Sequence, residues 1–158
     1  MAIPMYGQNK DGDNLQFSAD GKLGDRVTMG DADKVLSIGD MGGNSTIVAV
    51  TAAATSGAKT LTIPSAVAAG AGRQIEVIWE VASDAQATVV EAAGGYMLGA
   101  VLAQNGTGTT IVQSDGTDTK ITVNDNIEPG TRLSFYSNGT NWICSGTVLS
   151  SDADPAFS

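Results

Sequence analysis

The amino-acid sequence predicts an all-β fold: a compact β-sandwich or small β-barrel of about eight short antiparallel strands, preceded by an extended N-terminal arm. The first observation is composition. Charged residues make up 16% of the 158 residues and aromatic residues 5%, whereas glycine contributes 20 residues. An average globular protein has about 25% charged residues. The second observation is short stretches in which apolar and polar residues alternate, and the third is the turn sequences between them.

The N-terminal part differs from the rest. Residues 1 to 43 are expected to form the arm and a first strand near 35–38, and residues 44 to 158 the sandwich or barrel domain. The arm is polar and rich in Gly and Asp, and its large apolar side chains are isolated. The sequence therefore predicts that it lies extended on a partner. The predicted anchors are Ile3, Met5, Tyr6, Leu15 and Phe17.

Eight further stretches are predicted as strands: 46–50, 60–63, 74–81, 87–91, 109–113, 120–123, 131–136 and 142–146. Alternation is clearest in 74–81, where Ile75, Val77 and Trp79 share one face. A helix is conceivable only in 65–71 and 91–104, and glycines interrupt the second segment. The motifs Ser-Asp-Gly-Thr at 114–117 and Ser-Asn-Gly-Thr at 137–140 match, which predicts two similar hairpins.

The residues needed for common catalytic and metal sites are missing. The chain has no histidine, which excludes Ser-His-Asp and Cys-His catalysis and ordinary zinc sites. Its one cysteine, Cys144, is predicted to be a small buried residue. No P-loop motif occurs. We therefore expect no enzyme activity, no catalytic residue, no cofactor and no metal.

The charge also restricts the partners. Eight basic and seventeen acidic residues give a net charge of −9 with no basic cluster, so no nucleic-acid partner is expected. The sequence has no visible signal peptide and no apolar stretch near the roughly 20 residues that span a bilayer, so no membrane partner is expected either.

Acidic clusters leave two alternatives open. Residues 11–14 and 31–33 resemble fragments of calcium loops but lack the closing Glu of an EF-hand, which favours solvated turns over calcium binding. Glu76 and Glu80 share a strand face, and two carboxylates can hydrolyse glycosides. Because few aromatic residues are available as sugar platforms, a solvated sheet face is the favoured interpretation of this pair.

Two stretches resemble bacteriophage structural domains. Thr-Arg-Leu-Ser-Phe-Tyr-Ser-Asn-Gly-Thr-Asn-Trp-Ile at 131–143 is similar to a terminal strand and hairpin of these proteins. Lys-Thr-Leu-Thr-Ile-Pro-Ser at 59–65, followed by Gly-Arg-Gln-Ile-Glu-Val at 72–77, resembles their strand, short link and long strand. The resemblance covers roughly residues 59 to 147, and the hairpin is its most specific part.

The resemblance implies a virion protein without catalytic residues. Fibre members have a long repetitive shaft, which these 158 residues lack, so the best match is a head decoration or cement protein. Such a protein is made in the host cytoplasm and sits on the outer capsid surface. There it clamps neighbouring major capsid subunits and is commonly a homotrimer. The alternatives are a tail fibre or spike component and, secondly, a carbohydrate-binding or adhesion module.

Self-association also follows from composition. A core rich in Ala and poor in large side chains buries little area per residue, and burial contributes only about 25 cal/mol per Å². Burial between subunits would compensate. The small-residue stretches 50–54 and 92–95 are the predicted points of close approach near a symmetry axis of a trimer.

Overall fold

The protein is described by a computed structural model that covers residues 25–41, 44–53, 57–82, 88–124, 126–151 and 154–158. Within these ranges it has one short helix, α1 (Ala66–Ala69), one 3₁₀ turn (Ile38–Asp40) and twelve strands. The strands are β1 (Asp25–Met29), β2 (Lys34–Val35), β3 (Ser45–Val50), β4 (Lys59–Ile63), β5 (Gln74–Trp79), β6 (Thr88–Ala92), β7 (Met97–Asn105), β8 (Gly108–Gln113), β9 (Lys120–Val123), β10 (Arg132–Ser137), β11 (Trp142–Leu149) and β12 (Ala156–Phe157).

The strands form two mixed sheets, which confirms the all-β prediction. The larger sheet has seven strands in the order β1-β3-β5-β10-β11-β7-β8, and the smaller has five in the order β12-β9-β6-β4-β2. The prediction of about eight antiparallel strands is not confirmed. The described residues form twelve strands, and five of their ten pairings are parallel.

Four of the five parallel pairs arise because the chain alternates between the sheets. β3 and β5 are parallel neighbours in the larger sheet, and the strand between them in sequence, β4, belongs to the smaller sheet. β4 and β6 are likewise parallel, with β5 between them. Parallel neighbours need a crossover connection. Here a strand of the other sheet takes the place of the usual crossover helix.

Both sheets bury one face in a common hydrophobic cluster. Its largest side chains, Trp79, Phe135 and Trp142, come from the larger sheet and are at most 1% exposed. Leu61 and Ile121 enter it from the smaller sheet. The alternation that predicted an inward face for Ile75, Val77 and Trp79 is confirmed, because all three are buried.

Residues 25–41 supply an edge strand to each sheet. β1 pairs in parallel with β3, and β2 pairs in parallel with β4. Met29, Leu36 and Met41 are buried in the common cluster. The predicted strand near 35–38 begins one residue earlier and is shorter, since the 3₁₀ turn starts at Ile38.

One of the two helix expectations is confirmed and the other is wrong. In α1, the side chain of Ser65 accepts a hydrogen bond from the amide of Ala68 at 3.1 Å, which caps the N-terminus. Segment 91–104 instead contains the end of β6 and most of β7. β7 lies inside the larger sheet between β8 and β11, so tertiary pairing overrides the helix propensity of its Leu, Ala and Met residues.

Candidate functional site

In the structure, residues 131–143 meet the segment that begins at residue 59. The indole nitrogen of Trp142 donates a hydrogen bond of 2.8 Å to the carbonyl oxygen of Pro64. The hydroxyl of Ser137 donates one of 3.0 Å to the carbonyl oxygen of Ala66. Both hydrogen bonds are buried. The β10–β11 hairpin is therefore joined to the end of β4 and the start of α1.

The two Ser-Asx-Gly-Thr motifs fold into similar turns, but only one of them closes a hairpin. Asp115 Oδ1 accepts from the amide of Thr117 at 2.8 Å, and Asn138 Oδ1 accepts from the amide of Thr140 at 2.9 Å. The turn at 137–140 joins the antiparallel neighbours β10 and β11. The turn at 114–117 leads from β8 in one sheet to β9 in the other. The prediction of two hairpins is thus wrong for the first motif, because a turn sequence does not specify the next strand's sheet.

The predicted capsid-binding residues Ile3, Met5, Tyr6, Leu15 and Phe17 lie outside the described residues. So does the acidic segment 11–14. The division at residue 43, the arm and its contact remain predictions from the sequence.

Four of the acidic side chains that were considered for a site each contact a neighbouring donor. Asp33 accepts from the amide of Thr60 at 2.8 Å, and Asp31 lies 3.5 Å from the ammonium of Lys59. Glu76 pairs with Arg132 at 2.9 Å, and both oxygens of Glu80 accept from Arg26 at 2.7 Å. Across the ranges that the structure covers, no three metal-ligating side chains come together.

The thiol of Cys144 has no access to solvent. The residue is 1% exposed and faces the core from β11. Burial disfavours the thiolate and raises the pKa of the Cys144 thiol far above its ordinary value. This environment is typical of an inert structural cysteine.

The most distinctive surface is the outer face of the larger sheet, defined as the side chains of its strands that point away from the core. It carries five large apolar residues that are 38% to 69% exposed: Ile47, Leu102, Ile111, Tyr136 and Ile143. Single exposed apolar residues are ordinary, and these five make the face a candidate for protein contacts, although the polar row of Glu76, Ser134 and Ser145 lies between the two cross-strand pairs. Leu102 is the cross-strand partner of Ile111, and Tyr136 that of Ile143.

A shallow depression of about 380 Å³ lies on this face over β3, β5, β10 and β11. The side chains of Tyr136 and Ile143 border it, and its polar groups come from Gln74, Glu76 and three serines. Glu76 is already paired with Arg132, so its carboxylate is oriented and partly neutralised. The lining of the depression combines one aromatic side chain with several polar groups.

The small residues predicted to approach a symmetry axis are only partly used within one chain. Val50 and Ala92 are buried in the core cluster. A methyl group on Gly95 would lie 2.7 Å from the carbonyl oxygen of Thr140, so one close approach there is intramolecular. Ala93 is exposed, and the trimer remains a proposal.

Leu102 and Ile111 were not among the predicted contact residues. β7 was assigned as a possible helix, so its pairing with β8 was not foreseen. A signal did exist: no charged residue occurs from 92 to 114 or from 133 to 151. In a chain with a net charge of −9, runs of this length indicate surface that is kept free of charge.

Comparisons of this chain with protein-family models, with curated proteins and with solved structures each found no match. Over the described ranges, no helix has the length and apolar character needed to span a bilayer.

Proposed function

We propose that this protein is a structural component of a phage virion, a decoration protein that binds the outside of the capsid and clamps neighbouring major capsid subunits. The observation that carries the proposal is the outer face of the larger sheet, a broad surface with five exposed large apolar side chains. A surface of this kind supports protein contacts better than it supports chemistry on a small substrate. We also infer that the two sheets pack as a β-sandwich, because their inner faces share one hydrophobic cluster.

The junction between the hairpin and β4 supports the same role. Trp142 is fully buried, and its hydrogen bond to Pro64 ties the end of one sheet to the other. A cement protein has to keep its shape under load, and a buried aromatic anchor with a satisfied donor stiffens such a junction.

The N-terminal arm is the proposed contact with the major capsid protein. Its five anchors form two groups, Ile3, Met5 and Tyr6 and then Leu15 and Phe17, with the polar stretch 7–14 between them, as in segments that order on a partner. Pro4 restricts Ile3 to extended backbone, which suits the addition of a strand to a sheet edge.

The test is co-sedimentation of the purified protein with phage heads that lack it. Deletion of residues 2–17 should leave a folded protein that no longer sediments with heads. Replacing the five anchors by serine at unchanged length should have the same effect. The matched control replaces four polar spacers, Gln8, Asn9, Asn14 and Gln16, by serine and should bind normally. If the deleted and anchor-free proteins bind heads as well as wild type does, the arm is not the contact.

A second candidate is a carbohydrate-binding module, favoured by the depression beside Tyr136. An aromatic ring next to oriented polar groups is the minimal requirement for holding a sugar. Binding of a glycan that is lost in Tyr136→Ala, together with no binding to heads, would favour this function. A tail fibre or spike component, the remaining alternative, predicts sedimentation with isolated tails and not with heads.

A further inference from the structure

Charge is distributed very unevenly over the larger sheet. Three adjacent strands at one side, β11, β7 and β8, have 8, 9 and 6 residues and contain no Asp, Glu, Lys or Arg. The other side carries Arg26, Glu76, Glu80 and Arg132, which form two ion pairs. A chain with a net charge of −9 thus keeps three neighbouring strands uncharged.

Among the described strands, the outermost of these three has a hydrogen-bonded neighbour on one side only. β8 is the last strand of the sheet, and five of its six residues are exposed. Natural edge strands usually carry Lys, Pro or a bulge, which prevent pairing with another chain. β8 has the sequence Gly-Thr-Thr-Ile-Val-Gln and contains neither Lys nor Pro. Its pairing with β7 runs without interruption from Gly108 to Gln113.

Part of the backbone of β8 faces away from β7. The amide of Ser114 donates to the carbonyl oxygen of Gly99 at 3.0 Å, in register with the β7–β8 pairing. In an antiparallel pair the residues alternate between bonded and non-bonded positions. The amides of Thr109, Ile111 and Gln113 therefore point away from β7.

One apolar pair lies beside this edge. Ile111 is 69% exposed and its cross-strand partner Leu102 is 42% exposed, while Thr109 and Gln113, on the same face of β8 as Ile111, are polar. An edge that offers both outward-facing amides and an apolar pair can add a strand and bury its side chains together.

We propose that this uncharged edge, β8 with the outer faces of β7 and β11, is the surface on which a second copy of this chain docks by pairing through β8. The lack of charge on these three strands favours a second copy as the partner. At physiological ionic strength, charges interact over only about 8 Å, so the local charge at a contact decides whether two copies repel. Two acidic chains can meet without repulsion where neither carries charge. A basic partner would find no carboxylate on these strands. The inference deepens the proposed structural role and rests on it, but it is tested without capsids.

The test compares two variants that add the same charge at equally exposed edge positions. Ile111→Glu places a carboxylate on β8, and Val35→Glu places one on β2, the edge of the smaller sheet. Val35 is 68% exposed, so the two sites match in exposure and in chemical type. Sedimentation over a micromolar concentration range gives the association constant, and circular dichroism checks the fold. We expect wild type and Val35→Glu to associate equally, and Ile111→Glu to associate at least tenfold more weakly.

Hydrogen exchange supplies a second measurement. The amides of Thr109 and Ile111 should exchange slowly in the wild-type oligomer and fast after dilution. A wild type that is monomeric throughout would overturn the proposal, as would equal weakening by both glutamates or fast exchange at β8 in the oligomer. If deletion of residues 2–17 turns a monomer into an oligomer, the arm covers this edge, and a second copy is not its natural occupant. Oligomers that fail to bind heads would instead contradict the proposed function and leave this inference standing.

Discussion

The indole nitrogen of Trp142 donates to the carbonyl oxygen of Pro64 at 2.8 Å, across a separation of 78 residues in sequence. This hydrogen bond joins the hairpin after β10 to the end of β4, and therefore links the two sheets through side-chain and backbone atoms that are both inside the protein. The other fully buried tryptophan, Trp79, makes a weaker contact, since its indole nitrogen lies 3.4 Å from the hydroxyl of Thr88.

Trp142→Phe should therefore destabilise the protein more than Trp79→Phe. Both changes remove the same volume from the core, but the first removes the donor of a 2.8 Å hydrogen bond to a buried carbonyl oxygen, whereas the second removes only a 3.4 Å contact with the buried hydroxyl of Thr88. An unsatisfied buried group costs about 1–3 kcal/mol, so we expect a difference of about 1 kcal/mol or more in the free energy of unfolding. Urea unfolding followed by circular dichroism measures it. Equal costs for the two substitutions would show that the Pro64 hydrogen bond contributes little.

Gly99 is predicted to tolerate no side chain. Its φ is +114°, and a Cβ there would lie 2.1 Å from the carbonyl oxygen of Cys144 on β11. Gly116 has a similar φ of +98° but nothing within 4 Å of a Cβ. Backbone strain of this kind costs of order 1–3 kcal/mol, and only Gly99→Ala adds a steric clash to it. Gly99→Ala should leave little folded protein, whereas Gly116→Ala should fold with moderately reduced stability. A stable Gly99→Ala variant would contradict the close approach of β7 and β11.

The turn at 114–117 has an aspartate, Asp115, where the similar turn at 137–140 has Asn138. The two turns should therefore differ in how strongly acid destabilises them. The amide of Thr117, and then its hydroxyl, hold the pKa of the Asp115 carboxyl below its ordinary value of 3.8. A carboxyl with a lowered folded-state pKa stabilises the protein above its unfolded pKa, and this stabilisation is lost as pH falls through the folded pKa. Asp115→Asn should keep the turn, as Asn138 does in the other motif, and weaken the loss of stability below about pH 4.

The reciprocal change, Asn138→Asp, should add acid sensitivity over the same pH window. Thermal unfolding between neutral pH and about pH 3 measures both effects, because it brackets the ordinary pKa of an aspartate. If both variants show the same dependence of stability on pH as wild type, protonation of the carboxyl group in these turns does not affect the stability of the protein.

Cys144 is predicted to be unreactive in the folded protein. It is 1% exposed, and burial raises the pKa of its thiol, so the reactive thiolate is scarce at neutral pH. A thiol-specific chromophoric reagent should label it only as fast as the protein unfolds, and at full rate in denaturant. Rapid stoichiometric labelling of the native protein would contradict its position in the core.

The alternation of apolar and polar residues predicted the positions of most strands, but it did not predict which strands pair with each other. β9 matches its predicted bounds, and β5 has the predicted inward face, because alternation reports which side of a strand is buried. β7 was missed because Leu98, Ala100 and Leu102 occur with residues that also suit a helix, and only its neighbours β8 and β11 make it a strand. Parallel pairing could not be predicted, since most of it depends on alternation of the chain between the sheets.

The candidate surface was foreseen only in outline. Self-association was expected from a core poor in large side chains, but two residues of the predicted small-residue stretches, Val50 and Ala92, are buried in the core of the chain itself. Ile111 and Leu102 are neighbours on the surface because β7 and β8 form a hairpin, and that pairing was not predicted. The absence of charge from 92 to 114 was the available clue, because it extends over both strands.

The most direct test of the proposed function is the location of this chain on purified virions. Mass spectrometry should find it as a stoichiometric component, and electron cryomicroscopy should place its density on the outer surface of the head, between major capsid subunits. Removing it should leave heads that lose that density and break at lower temperature. Density on the tail, or virions that do not contain the chain, would contradict the account.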